Sequence, residues 1–134
     1  MPVDRIHDFL QETDYLVSVL PQTVDTNNLL DKSALARLPR HAYLINIGRS
    51  NVIDDEALID ALRSGDSAGA VLDVFDEEPL PEDSPLWDVQ NLLITAHIAA
   101  TSHPSLIVPI FVENYRRYTN MQPLKHIVDF YAGY

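Results

Sequence analysis

Apolar positions along the chain follow two rhythms that alternate. Ile6, Phe9 and Leu10 recur at i, i+3 and i+4, one face of a short helix. The run 15–20 (YLVSVL) is continuous, rich in β-branched and aromatic residues, and stopped by Pro21, as in a strand. Residues 31–38 return to helical spacing, with Leu35 and Leu38 inward and Pro39 as terminator. A second strand-like run, 42–47, passes through Gly48, Arg49 and Ser50 into another helix. That helix takes Asp54 or Asp55 as its N-cap, Leu58, Ala61 and Leu62 as its apolar stripe, and Gly65 just past its end. Strands over 68–75 and 92–95 follow. The last helix starts at Pro104 and turns Ile107, Ile110, Phe111, Tyr115 and Tyr118 inward, with Pro109 expected to kink it or delay its start.

Strands apolar on both faces and separated by helices indicate βαβ units. The expected fold is α/β, a parallel sheet covered on both sides. Ligands of such sheets bind outside the carboxyl ends of the strands. Here those ends are 20–22 (LPQ), 47–49 (IGR), 73–75 (DVF) and 95–97 (TAH), and the polar residues suited to chemistry gather there.

Composition narrows the field. Among 134 residues there are 9 Lys+Arg and 20 Asp+Glu, a net charge of −11. Twelve acids and one base lie between Asp54 and Asp88; the rest of the chain is neutral. No cluster of Lys or Arg could follow a phosphate backbone, so nucleic acid is not expected as a partner. Cysteine is absent, which excludes a disulfide scaffold or a thiolate metal site, and no metal is expected. No apolar run approaches a membrane span, and the start lacks the build of a signal peptide, so a cytoplasmic protein without membrane contact is expected.

Arg49 could be a surface arginine, yet the positive end of a helix disfavours a cation there. Read functionally, it offers a planar fork for a carboxylate. His97 could merely cap a strand, and Glu78 could be one more solvated acid. At neighbouring strand ends, the three together supply an anion-binding arginine, a titratable imidazole and a carboxylate able to charge it.

The segments 20–26 (LPQTVDT), 44–50 (LINIGRS), 57–65 (ALIDALRSG), 68–81 (AGAVLDVFDEEPLP), 84–87 (SPLW) and 95–100 (TAHIAA) resemble the D-isomer-specific 2-hydroxyacid dehydrogenases. Within that family they look most like its glyoxylate/hydroxypyruvate reductase branch. The resemblance implies a reaction interconverting a small 2-keto acid and its 2-hydroxy acid with NADP or NAD. It casts Arg49 as the holder of the substrate carboxylate, His97 as general acid/base and Glu78 as the partner of His97. It places Leu20, Pro21, Gln22 and Thr26 along the dinucleotide. Ile47, Gly48, Arg49, Asp73, His97, Ala99 and Ala100 fall around the nicotinamide, with Asp73 as carboxamide partner. Ser50, Ala96 and Ala100 depart from the residues usual in the family at those places.

The four glycines, at 48, 65, 69 and 133, cannot form the G-x-G-x-x-G turn that holds a pyrophosphate. The resemblance therefore implies the second half of a Rossmann-type domain over residues 1–103. Residues 104–134 would be a helix and tail belonging to the substrate domain. A C-terminal piece of such an enzyme is expected, homodimeric when complete and self-associating when isolated. Two other readings are a piece without activity and a dinucleotide-sensing interaction protein of the corepressor type.

Overall fold

The computed structural model describes residues 5–133. They form two compact units, divided between Ala99 and Ala100.

The first unit is built in the order α1 (Ile6–Leu10), β1 (Tyr15–Ser18), α2 (Lys32–Leu35), β2 (Tyr43–Asn46), α3 (Asp55–Ser64), β3 (Gly69–Leu72) and β4 (Leu92–Ile94). The four strands make one parallel sheet in sequential order, β1-β2-β3-β4, with β1 and β4 as its edges. Each strand is a residue or more shorter than its apolar run, because the ends of the runs turn away as loops. α3 matches its local signals closely. The Asp54 carboxylate accepts the Ala57 N–H at 3.0 Å, and Gly65 takes φ +75° just beyond the last turn, a conformation costly for any residue with a Cβ. α2 is half the expected length. Its cap forms, with Asp31 accepting the Ala34 N–H at 2.8 Å, but after Leu35 the chain tightens into i→i−3 bonds, Arg37 to Ala34 and Leu38 to Leu35, ahead of Pro39.

Register explains the core. Leu16 pairs with Leu44, and Leu44 with Ala70, while Ser18, Asn46 and Leu72 form the next row on the same face. That face packs against Leu10, Leu35, Leu58 and Leu62 of the three helices. The opposite face carries Tyr15, Val17 and Tyr43 in the open, with the Tyr15 and Tyr43 rings stacked 5.9 Å apart. The expectation of helices on both sides is thus corrected for this unit. Successive crossovers that advance in one direction with the same hand carry their helices to one side of the sheet.

The second unit contains α4 (Pro104–Thr119), which starts at Pro104 and runs unbroken past Pro109. Its tail folds back on its last turns: Asn114 bonds Lys125 through both backbone groups, and the Lys125 ammonium lies 2.6 Å from Glu113. No residue of α4 is buried. The stripe expected to face inward, Ile107, Ile110, Phe111, Tyr115 and Tyr118, is exposed, because the short tail cannot cover it. Among the described residues no helix is long and apolar enough to cross a membrane.

Candidate active site

The carboxyl ends of the parallel strands converge on a cleft of about 330 Å³ lined by Gln22, Arg49, Ser50, Val74, Phe75, Asp76, Glu78 and His97. Arg49, Glu78 and His97, separated along the chain by up to 48 positions, therefore share one wall. A second, apolar hollow of about 460 Å³, with Phe75, Leu80, Trp87 and Ile94 among its residues, also touches Glu78 and His97. The pair separates a polar space from an apolar one.

The geometry of that pair fixes its protonation pattern. Glu78 Oε1 accepts the Phe75 N–H at 3.0 Å, and Oε2 lies 2.9 Å from His97 Nδ1. The bond from His97, followed by that from the Phe75 amide, holds the Glu78 carboxyl below its ordinary range, so it is ionised at neutral pH. An ionised carboxylate can only accept, which puts a proton on Nδ1 and leaves Nε2 to exchange a proton with a bound molecule.

His97 has φ +53°, a left-handed conformation uncommon for a residue with a side chain. Asp73 holds it there. This carboxylate, 1% exposed, accepts the Ile98 N–H at 3.0 Å and the Ala99 N–H at 2.9 Å, and it also bonds the Thr95 hydroxyl. Burial by itself would raise the Asp73 pKa. The Thr95 hydroxyl and the two amides outweigh it and hold the carboxyl below the usual 3.8. The segment that presents His97 is thus wrapped around a buried anion.

Arg49 follows β2 in extended backbone and is exposed, with Nη1 donating to the Gly48 carbonyl at 2.8 Å. Gly48 is required by space. A Cβ there would stand 2.8 Å from both Leu20 N and Leu20 O, so the arginine turn presses directly on the backbone leading into Pro21 and Gln22.

The expected cofactor residues separate into groups. Gln22, Arg49 and His97 line the cleft, and Ile47, Gly48, Ala99, Leu20 and Pro21 belong to the loops around it. Thr26 points elsewhere: it is buried, donates to the Pro21 carbonyl at 2.7 Å and accepts the Thr23 N–H at 2.9 Å, closing its own loop. Ala100 lies in the second unit. Ser50 and Asp76, neither expected among the site residues, also line the cleft, and Asn46 lies buried beneath the arginine turn. The signal for Asn46 was a lone amide inside an apolar strand run.

The model of the D-isomer specific 2-hydroxyacid dehydrogenase NAD binding domain matches residues 1–99. The chain belongs to that family. It is similar to glyoxylate/hydroxypyruvate reductase A of Klebsiella pneumoniae strain 342, with 38% identity over 130 residues, 97% of this chain and 42% of the relative. Among solved structures it resembles a D-isomer specific 2-hydroxyacid dehydrogenase of Xanthobacter autotrophicus Py2, in complex with NADPH and MES. There the TM-score is 0.92 and the identity 44%, covering 98% of this chain and 54% of that one. A glyoxylate/hydroxypyruvate reductase of Sinorhizobium meliloti, in complex with NADP and sulfate, gives a TM-score of 0.91 at 34% identity, covering all of this chain and 44% of that one. The chain thus spans about half or less of the length of these relatives.

The donor set of the family member in hand fits a nicotinamide. The cleft has room beside Arg49 and His97, while Asp73, buried and bonded to Thr95, Ile98 and Ala99, supports the loop that carries His97 from behind.

Proposed function

We propose that this chain supplies the catalytic wall of an NAD(P)-dependent reductase for small 2-keto acids of the glyoxylate or hydroxypyruvate type. The observation that carries the reading is the meeting of Arg49 with the Glu78–His97 pair in one cleft, at the carboxyl ends of strands in an NAD-binding domain. Bound in that cleft, the nicotinamide supplies the hydride. Asp73 holds the loop that presents His97 and Ala99, and the backbone of Leu20–Gln22 and Ile47–Arg49 borders the dinucleotide. Arg49 remains protonated and grips the substrate carboxylate through parallel N–H bonds. Negative charge that develops on the keto oxygen is met by a proton from His97 Nε2. Glu78 holds Nδ1 from the other side of the ring and fixes its orientation.

The relatives crystallised with NADPH or NADP support a phosphorylated dinucleotide. The reductase relatives favour this function over an interaction protein of the corepressor type. A cytoplasmic setting, where nicotinamide pools meet small keto acids, belongs to the same reading. So does a homodimer of the complete enzyme, while the exposed face and edge of the sheet at Tyr15 and Val17 support self-association of the isolated chain. Residues 104–134 are read as part of a substrate domain, which the exposed stripe of α4 supports.

The test is carboxylate binding by the chain itself, with oxamate as an unreactive 2-keto-acid mimic. Oxamate is expected to shift the NMR signals of Arg49, Glu78 and His97. Arg49→Lys is expected to weaken binding about tenfold, because an ammonium cannot reproduce the fork. Oxamate that leaves these three residues unmoved, or that binds Arg49→Lys equally well, refutes the assignment.

A further inference from the structure

The end of β2 holds a side chain that the chemistry of the cleft does not itself require. Asn46 is 1% exposed, and a buried amide is costly unless its donor and acceptor are both engaged. Both are engaged by the next turn. The Gly48 N–H donates to Asn46 Oδ1 at 3.2 Å, and Asn46 Nδ2–H donates to the Arg49 carbonyl at 3.0 Å. The turn is pinned from its other side by the backbone of Leu20, against which Gly48 packs too closely for any Cβ. The Arg49 guanidinium is then tied to the Gly48 carbonyl at 2.8 Å. The guanidinium is therefore tied to the peptide group that lies between the two held by the Asn46 carboxamide.

We infer that Asn46 is a positioning residue for Arg49: its buried carboxamide closes the Ile47–Arg49 turn and so aims the arginine into the cleft that holds Glu78 and His97. The inference rests on the reading of Arg49 as the carboxylate holder. The residue type follows from the bonds. Aspartate has the shape but no donor, and it would set a carboxylate against the Arg49 carbonyl. Alanine offers neither group, and glutamine is one methylene too long for the space inside the turn.

The experiment uses the 134-residue chain with Asn46→Asp and Asn46→Ala, followed by ¹⁵N NMR and hydrogen exchange with oxamate as probe. In Asn46→Ala the Gly48 amide is expected to exchange about tenfold faster, the Arg49 Nε–Hε signal to move, and oxamate affinity to fall about tenfold, the scale of one lost buried hydrogen bond. In Asn46→Asp the Gly48 amide keeps its acceptor and its protection while oxamate binding still weakens. General loosening of the fold would not separate those two readouts. Folded variants with an unmoved Arg49 signal and unchanged oxamate affinity overturn the inference. Failure of the unsubstituted chain to bind oxamate counts against the carboxylate role of Arg49. In that case Gly48 exchange and the Arg49 Nε–Hε signal still decide for or against Asn46. Should Asn46→Ala not fold, the isosteric Asn46→Asp carries the test through the same two signals.

Discussion

Asp55 is expected to be a liability at neutral pH, and its replacement by asparagine to stabilise the protein. It is the first residue of α3, half-buried, with Asp54 beside it and Asp76 near enough to repel it. Burial first, then Asp76 and Asp54, push its pKa from the usual 3.8 up to about 6. The folded chain thus binds this proton more tightly than the unfolded chain does. Its contribution to stability is fully present below about pH 4 and is lost as pH rises through about 6. At ~1.4 kcal/mol per pH unit, the bare gap corresponds to about 3 kcal/mol. Two effects reduce it. Water reaches the carboxylate and screens the repulsion, and the positive end of α3 favours an anion in its first turn. About 1 kcal/mol remains. Asp55→Asn removes the charge and leaves the cap intact, since Asp54 is the residue that accepts the Ala57 N–H. The variant should therefore be about 1 kcal/mol more stable near neutral pH, equivalent to a rise in Tm of roughly 3–5 °C for a chain of this size. Chemical denaturation of both proteins across the acid-to-neutral range is the assay, and the advantage should shrink to zero toward pH ~4. An advantage that does not change with pH, or one confined to acid, would refute the electrostatic account.

Two further outcomes follow from the site. In His97→Ala, the Glu78 carboxyl loses the bond that contributes most to its lowered pKa, so its ¹³C titration should move up toward the ordinary glutamate range. An unmoved titration would mean that the Phe75 amide alone sets it. Gly48→Ala should cost about 1–3 kcal/mol in denaturation experiments, because the added methyl meets the Leu20 backbone at 2.8 Å rather than a side chain that can swing away. Wild-type stability in that variant would show that the two loops can part without penalty.

What the sequence determined alone is what short stretches of chain decide for themselves. The apolar runs became β1 to β4, and Asp54 and Gly65 bound α3 as their chemistry requires. Those preferences are free energies of neighbouring residues, and they are legible without knowing where the rest of the chain lies. The trio was legible for a related reason: residues at the carboxyl ends of parallel strands reach the same edge of the sheet. Tertiary structure alone decided three other things. It decided that the helices of the first unit cover one face, because that depends on the direction and hand of successive crossovers. It decided that α2 stops at Leu35 although helical spacing runs to Leu38. It also decided which polar groups spend themselves on backbone. Asp73 reaches amides 25 and 26 positions away, and Glu78 meets an imidazole 19 positions away. Such bonds exist only once strand register and loop closure have set distances to within an ångström, and no pattern in the sequence carries distance at that precision.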